Sequence, residues 1–178
     1  DMVIPAVGAV PAKPPIPGID KPHVMVATQS MIHPETVGQN VVVIGGGEVG
    51  VEAGMNLAKK GRNVTVLEMV DKLAAESTMI HYYSMFEEAW LALPTFHSHV
   101  NATVTGIQDD CVTYKDKEGV EHSVPCDTVV VSLGMKALTE EALSFYGSAD
   151  RFALIGDCQK PATVQQAMRS AFAVSHSV

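Results

Sequence analysis

The sequence predicts an α/β fold in which a parallel β-sheet is flanked by helices and carries a small antiparallel meander. Two runs of mostly β-branched residues, 41–44 and 128–131, lack polar alternation, as is typical of parallel strands covered on both faces. Residues 48–60, which lie between them, have the spacing of small and apolar residues that favours a helix. Shorter alternating segments follow and indicate the meander. A chain of 178 residues is long enough to bury a core.

The first 36 residues are expected to connect this sheet to another part of the protein. Residues 1–4 have the composition of a strand already under way, so we expect the chain to be a fragment of a longer protein. Five of the ten prolines lie within residues 1–20, where they fix φ and offer no hydrogen-bond donor. This composition predicts an extended connector. Residues 27–33 are expected to form a short helix or an irregular lead-in.

The first strand, residues 40–44, leads into a glycine-rich turn and a helix. Gly45, Gly47 and Gly50 have the G-x-G-x-x-G spacing of a dinucleotide-binding turn. The first glycine allows a sharp bend, the second lets a pyrophosphate approach the main chain, and the third lets the helix pack closely. The helix start also favours an anion. The sequence therefore predicts a Rossmann-like unit that binds the pyrophosphate of a dinucleotide at Gly45, Gly46, Gly47, Glu48, Val49 and Gly50. The alternative is a βαβ unit that binds no nucleotide.

A carboxylate follows the next strand at the spacing expected of a ribose-binding acid. Residues 63–67 form that strand, and Glu68 lies 18 positions after Gly50. Glu68 can accept hydrogen bonds from the ribose hydroxyls and would repel a 2′-phosphate, which favours NAD(H) over NADP(H). The residue after it, Met69, is uncharged and is expected to contact the cofactor.

The helix after the glycines has one face of small residues and one notable acid. The small and apolar residues are expected to face the sheet: Gly50, Ala53, Gly54, Leu57 and Ala58. Gly61 is placed to end the helix. Glu52 has two interpretations that its position leaves open. It is an exposed acid favoured by the helix dipole, or a carboxylate that points into the cofactor cleft.

The middle of the chain predicts one more helix and then the meander. Residues 78–91 are expected to form a helix whose aromatic and methionine side chains, Met85 included, belong to the core. Residues 95–104, Cys111–Lys115 and 121–124 are expected to be the meander strands. His97 and His99 share a face of the first of these. No further ligand lies at a suitable spacing, so we expect surface histidines rather than a metal site.

Two later strands end in glycine. Residues 127–133 lead to Gly134, which would lie at the ligand edge of a parallel sheet. Residues 152–155 lead to Gly156 and Asp157, and a helix is predicted over residues 163–174. This second arrangement again brings a carboxylate and free N–H groups to one edge.

Charge and composition exclude several classes of function. The net charge of −8 argues against a nucleic-acid partner, because phosphate binding needs a basic face. No apolar run is long enough to span a bilayer, and no signal peptide is recognisable, so no membrane partner is expected. Cys111, Cys126 and Cys158 lack C-x-x-C spacing, which favours free thiols in a reducing cytosol and a cytoplasmic protein. No Ser/His/Asp or Cys/His arrangement stands out, so no catalytic residue is assigned.

Together these motifs resemble the pyridine-nucleotide-binding part of flavoproteins that have two dinucleotide-binding domains. Residues 45–52 resemble that family's G-G-G-x-x-G-x-E motif, in which Glu52 would lie by the nicotinamide end. Residues 4–11 resemble the A-T-G-x-x-P segment where the chain leaves the FAD domain, although a valine replaces the usual threonine. Residues 153–157 resemble the G-D motif, whose acid, here Asp157, binds the ribityl chain of FAD.

The resemblance is narrower at residues 9–18, the Gly-Asp-Cys triplet and residues 160–162. These segments are similar to the C-terminal half of 2,4-dienoyl-CoA reductases and related NADH:flavin oxidoreductases of the old yellow enzyme type. In those proteins a barrel that carries FMN and an iron–sulfur cluster precedes this region. The resemblance therefore implies FAD in the intact protein, with FMN and an iron–sulfur cluster in an N-terminal barrel as further partners.

The resemblance also implies a division of the chain. Residues 1–36 would be a connector and a remnant of the FAD domain, residues 37–135 the NAD(H)-binding domain, and residues 136–178 the return into the FAD domain. The residues expected to face FAD are Gly8, Gly156 and Asp157, and those expected at the nicotinamide end are Glu52 and Gly134.

The function implied is that of an NAD(P)H-dependent flavoprotein oxidoreductase. This chain would deliver hydride from NADH to flavin for reduction of an enoate or a 2,4-dienoyl-CoA in the full-length enzyme, and we expect the fragment alone to be inactive. Two alternatives remain open. One is another flavoprotein reductase, of the ferredoxin or disulfide type. The other is a non-catalytic module that holds ADP or NAD.

Overall fold

The computed structural model describes residues 1–176, except for the side chain of Met85, and residues 177 and 178 of the predicted C-terminal segment lie outside it. The chain divides into two compact units. The central unit is Lys13–Leu133, and the split unit joins Asp1–Ala12 to the segment that begins at Gly134.

Strands and helices are unevenly distributed along the chain, with β6 to β11 following one another without a helix between them. The strands are β1 (Met2–Val3), β2 (Ala9–Pro11), β3 (Val24–Val26), β4 (Asn40–Ile44), β5 (Asn63–Leu67), β6 (Phe96–His99), β7 (Thr103–Ile107), β8 (Cys111–Lys115), β9 (Glu121–Pro125), β10 (Thr128–Val131), β11 (Met135–Ala137) and β12 (Arg151–Phe152). The α-helices are α1 (Ala27–Ile32), α2 (Glu48–Lys59), α3 (Met79–His81), α4 (Glu88–Leu91), α5 (Thr139–Leu143) and α6 (Val164–Ser175).

The central unit is built on a parallel sheet with the strand order β3-β10-β4-β5-β6. Alternate residues of β4 belong to two separate apolar clusters, with Val41 and Val43 in one and Val42 and Ile44 in the other. The first cluster includes residues of α1 and α2, and the second includes residues of the antiparallel β7-β8-β9 meander. Helices therefore cover one face of the sheet and the meander covers the other, which confirms the predicted α/β fold and explains the missing polar alternation.

Helix α2 packs its small-residue face against the sheet, as predicted. Its buried residues include Ala53, Gly54 and Leu57. A Cβ added at Gly54 would lie 2.9 Å from Cε2 of Phe96, so a larger residue would push the helix away from β6. The helix ends at Lys59, and Gly61 follows with φ of +83°, a left-handed conformation that glycine adopts without strain.

The predicted extent of the meander is wrong in its first strand. Residues Phe96–His99 do not join the meander but pair in parallel with β5 at the edge of the main sheet, with Val64 opposite Phe96. The helical segment before Pro94 brings the chain back across the sheet, and such a crossover returns the next strand parallel to the previous one. The meander itself begins only at Thr103.

The predicted helix over residues 78–91 is present but irregular. It consists of α3, a π-helical turn over Tyr82–Glu87 and α4. The side chain of Thr78 caps it by accepting a hydrogen bond from the N–H of His81 at 3.3 Å. Trp90, the one tryptophan of the sequence, stacks on Phe86 and on Phe96, with ring centroids 6.1 and 5.9 Å apart. These contacts place Phe86 and Trp90 in or against the core, together with Tyr82, as expected. The expectation is wrong for Met79, Tyr83 and Leu91, which are exposed because they lie on the outer side of the helix.

The split unit contains two small pairs of strands. β1 pairs in parallel with β12, and β2 pairs antiparallel with β11. Helix α6 begins with a capping box, in which Thr163 and Gln166 bond reciprocally to each other's backbone N–H. None of the described residues of α6 is buried.

Candidate functional site

The strand order of the central sheet defines a place for a ligand. From β4 the chain proceeds to β5 and β6 on one side, and later returns to β10 on the other side of β4. The carboxyl ends of β4 and β10 therefore flank the point where the strand order reverses. In open α/β sheets, ligands bind in the crevice at this point. The glycine-rich turn leaves β4 there.

Two glycines of the turn hold the backbone segments close together. Gly45 has φ of +99°, and a Cβ added to it would lie 2.2 Å from the carbonyl oxygen of Ser132 at the end of β10. A Cβ added at Gly50 would lie 1.9 Å from the carbonyl oxygen of Gly45. Neither position has room for a side chain, so α2 starts in direct contact with the turn.

The middle glycine has the opposite environment. Gly47 is exposed, and among residues 1–176 nothing lies within 4 Å of a Cβ added to it. Gly47 is the N-cap of α2, and the exposed Glu48 and Val49 follow in the first turn. The N–H groups of a first helical turn have no intrahelical acceptors. The turn therefore offers donors and open space to an anion, and its residues fit a pyrophosphate group.

Glu68 lies at the end of β5 and is bonded to the glycine-rich turn. It is only 9% exposed. Its Oε2 accepts a hydrogen bond from the N–H of Gly46 at 2.6 Å, and its Oε1 accepts one from the N–H of Val70 at 2.9 Å. Because an ionised carboxylate offers about four lone-pair sites, acceptor capacity remains for ribose hydroxyls. The N–H of Gly46, in contrast, is already used within the protein and is not free for a phosphate.

A loop over residues 70–77, here called the strap, covers the turn. The N–H of Ala74 donates to the carbonyl of Gly46 at 2.7 Å, and the hydroxyl of Ser77 donates to Oε1 of Glu48. Cδ2 of Leu73 lies only 2.4 Å from the position that a Cβ at residue 46 would take. Sequence reasoning missed these strap residues, because an irregular loop has no periodicity that could have identified them.

The outer side of Glu68 is apolar. Met69 is 66% exposed, and Val70 and Val100 are exposed beside it in the chain segments that leave β5 and β6. The N–H of Asn101 donates to the carbonyl of Val70 at 2.8 Å and joins the two segments. An exposed apolar surface next to the acid provides a platform on which a flat ring can lie.

Glu52 and Gly134 are in different units. Glu52 is half-buried on α2, and no hydrogen bond or ion pair to it is present among the described residues. Gly134 belongs to the split unit, has φ of +85° and accepts a hydrogen bond from the N–H of Ala12 at 2.9 Å. Their shared role at the nicotinamide end stays a prediction.

The three residues expected to face FAD lie in the split unit. The carbonyl of Gly8 accepts from the N–H of Leu138 at 3.1 Å. The N–H of Gly156 donates to the hydroxyl of Ser170 at 2.9 Å, and Oδ1 of Asp157 accepts from the N–H of Ala162 at 3.3 Å. Of these three residues, Gly156 lines a pocket of about 430 Å³, together with Gln159, Lys160, Ala162, Gln166, Ala167 and Ser170. Its volume and mixed polar and apolar lining fit part of a large cofactor.

The histidines and cysteines form no further site in the described part of the chain. His97 and His99 are exposed, and no group of three or more His, Cys, Asp or Glu residues there could hold a metal ion. Burial, with smaller effects of Cys111 and Asp127, raises the pKa of Cys126 to about 11, so this thiol is protonated at neutral pH. None of the helices over residues 1–176 is long and apolar enough to cross a membrane.

The comparison with protein families decides the broader identity of the chain. Residues 1–171 match the model of the pyridine nucleotide-disulphide oxidoreductase family. The chain belongs to this family. It is 32% identical over 176 residues to the bilirubin reductase of Mediterraneibacter gnavus (strain CC55_001C), covering 97% of this chain and 26% of that protein. It is 29% identical over 185 residues to the NADH oxidase of Thermoanaerobacter brockii, covering 100% of this chain and 28% of that protein.

A solved structure supports the same assignment. The 2-naphthoyl-CoA reductase in complex with 2-naphthoyl-CoA superposes with a TM-score of 0.85 at 26% identity, covering 97% of this chain and 26% of that one. The chain thus spans about a quarter of the length of these two curated relatives. Within this family of oxidoreductases it corresponds to a flavoprotein region that binds NAD(P)H.

Proposed function

We propose that this chain is the NAD(H)-binding module of a larger FAD-dependent oxidoreductase and that it presents NADH to the flavin. NADH, when bound, supplies a hydride to the flavin, and the protein contributes binding and orientation. The observation that carries the proposal is the carboxylate of Glu68, held at 2.6 Å from the N–H of Gly46 beside the open space at Gly47. The acid proposed for the ribose is thus hydrogen-bonded to the glycine-rich turn proposed for the pyrophosphate.

In this proposal each part of the turn has its own role. The pyrophosphate lies over Gly47 and accepts hydrogen bonds from the first turn of α2, at Glu48 and Val49. Glu68 accepts from the adenosine ribose and disfavours a 2′-phosphate, so NAD(H) is preferred over NADP(H). Met69 contacts the adenine. Glu52, whose carboxylate has no partner among the described residues, turns toward the nicotinamide end.

The proposal also divides the chain between two cofactors. Residues 37–135 bind NAD(H), whereas residues 1–36 and 136–178 are parts of an FAD domain. Gly8, Gly156 and Asp157 belong to the FAD site. The pocket of about 430 Å³ at Gly156 supports this role, because the pyrimidine edge and ribityl chain of FAD need polar partners. Its lining supplies the polar side chains of Gln159, Lys160, Gln166 and Ser170.

We further propose that the whole protein reduces conjugated molecules, such as an enoate or a 2,4-dienoyl-CoA. The names of three relatives support this substrate class. The bilirubin reductase and the 2-naphthoyl-CoA reductase are joined by the cinnamate reductase of Clostridium sporogenes, 26% identical over 179 residues. Bilirubin, cinnamate and 2-naphthoyl-CoA are all conjugated. FMN and an iron–sulfur cluster would then serve the reduction in an N-terminal barrel.

The cofactor preference is tested by calorimetric titration of the chain with NADH, NADPH and ADP. We expect NADH to bind at least about tenfold more tightly than NADPH, because a contact between like charges costs several kcal/mol and about 1.4 kcal/mol corresponds to a tenfold change in Kd. In Glu68→Gln, which keeps the shape of the side chain, this ratio should fall toward one. Glu76→Gln removes an exposed acid from the strap and is the matched control.

Each outcome bears on a different part of the proposal. Equal affinity of the wild-type chain for NADH and NADPH would contradict the role of Glu68. Binding of ADP as tight as that of NADH would favour a module that leaves the nicotinamide half unbound. If none of the three ligands binds, the turn is architectural in this chain and the proposed function fails.

A further inference from the structure

Ser132 occupies the other side of the point where the strand order reverses. It follows β10 directly, and its N–H donates to the carbonyl of Ile44 at 2.8 Å, which joins the ends of β10 and β4. Its carbonyl oxygen lies against Gly45, and its Cβ is 3.3 Å from the position that a Cβ at Gly50 would take. The side chain of Ser132 therefore lies beside the start of α2.

The hydroxyl of Ser132 has no hydrogen-bond partner in the part of the chain that the structure describes. It is also only half-buried, so a ligand can reach it. Most hydroxyl groups of such packed regions bond to the backbone, as that of Thr128 does at the other end of the same strand by accepting from the N–H of Gly38 at 2.9 Å. The hydroxyl of Ser132 is therefore available to a ligand at the carboxyl end of β10.

The order of the strands indicates which half of a bound dinucleotide would lie near the hydroxyl of Ser132. Glu68, the proposed ribose acid, ends β5 on one side of β4, whereas Ser132 ends β10 on the opposite side. The glycine-rich turn lies between them. A dinucleotide whose adenosine lies by Glu68 and whose pyrophosphate lies over Gly47 must extend its other half toward the β10 side.

We propose that Ser132 is a positioning residue that hydrogen-bonds the nicotinamide half of the dinucleotide at its ribose. This inference rests on the proposed function, because it uses the placement of the adenosine by Glu68. The hydroxyl of Ser132 both donates and accepts hydrogen bonds, so it can bond a ribose hydroxyl. Its role is to orient that half at the edge of the sheet.

The test compares ligands that contain or lack the nicotinamide-side ribose. Calorimetric titrations of Ser132→Ala with NADH, ADP-ribose and ADP are compared with those of the wild-type chain. We expect Kd for NADH and ADP-ribose to rise about 5- to 20-fold, as for loss of one hydrogen bond to a ligand, while Kd for ADP stays within twofold. Ser123→Ala, which changes an exposed serine of the meander, should leave all three unchanged.

The outcomes separate this inference from the proposed function. If wild-type chain binds NADH and Ser132→Ala binds it equally well, the inference is wrong while the proposed function stands. An equal loss of ADP affinity would also overturn it, because Ser132 would then act only by holding the turn. If Ser132→Ala fails to fold, Ser132→Cys replaces it, because a cysteine side chain is similar in size to serine and forms weaker hydrogen bonds. The same three Kd values are then compared. Failure of the wild-type chain to bind any dinucleotide would refute both proposals.

Discussion

Substitution by alanine should have different effects at two glycines of the turn. At Gly47 it should weaken NADH binding, and at Gly50 it should reduce stability. Gly47 has φ of −64° and open space around it, so Gly47→Ala is expected to change the free energy of unfolding by less than about 1 kcal/mol, the usual range for an N-cap. Its methyl group would occupy the space over the turn, and Kd for NADH should rise at least about tenfold. Chemical denaturation and calorimetry together measure both effects.

Gly50→Ala is the counterpart of that experiment. The added methyl would lie 1.9 Å from a backbone oxygen, so the variant should lose about 3 kcal/mol or more of stability through displacement of α2. If Gly47→Ala instead loses stability and keeps its affinity for NADH, the space at Gly47 does not belong to a ligand site.

At the scale of single residues, part of the candidate site could be predicted from the sequence. The distance from Gly50 to Glu68 in the chain predicted an acid near the turn, and Glu68 does lie there, because the spacing is set by one helix and one strand. Its bond to Gly46 and the strap contacts of Leu73 and Ala74 could not be predicted. They depend on the path of an irregular loop, which no local pattern encodes.

Strands and helices could be predicted where the pattern of their own residues defines them. The limits of β4 and β5 follow from β-branched residues bounded by polar ones, and α2 follows from its small-residue stripe. The direction of β6 did not follow, because a strand's alternation is the same in parallel and antiparallel pairs. β3 and β2 were missed, since three residues are too few to show a period and their partners are far away in the sequence.

The meander should show a specific alkaline loss of stability. Burial raises the pKa of Cys126, at the end of β9, from its usual 9.0 to about 11. The folded state then keeps a proton that the unfolded state releases, so the contribution of Cys126 is full below pH 9 and is lost as the pH rises from 9 toward 11. Two pKa units correspond to about 2 to 3 kcal/mol.

Denaturant unfolding at pH 8 to 11 measures this loss, and Cys126→Ala is the comparison. The variant should be less stable at pH 8 because it lacks the buried sulfur, yet its stability should decline less steeply with pH. The other titratable groups are present in both proteins, so the difference between the two curves isolates Cys126 together with its electrostatic effect on Cys111. Parallel curves for the two proteins would rule out this role for the buried thiol.

At the scale of the whole chain, the hydrophobic core is unevenly distributed. Both large apolar clusters lie within the central unit, whereas the buried residues of the split unit are few and small, among them Ala142 and Cys158. Helix α6 even exposes a stripe at helical spacing, with Val164 at 82%, Met168 at 65% and Phe172 at 66%. Because buried apolar area is the main stabilising contribution, the split unit should be the less stable part of this chain.

Native-state hydrogen exchange tests this distribution. Amides of β4, β5 and β10 should exchange at least about 100-fold more slowly than those of α6 and β12, since local opening of the split unit exposes little apolar surface. Saturating NADH should slow exchange at residues 46–50 and 68–74 and leave α6 unchanged, because no residue of α6 belongs to the proposed NAD(H) site. Fluorescence of Trp90, which is packed within that unit, provides an independent record of its unfolding. Uniform protection across both units would mean that the chain unfolds as one cooperative body, and the apolar stripe of α6 would then need a partner within the chain.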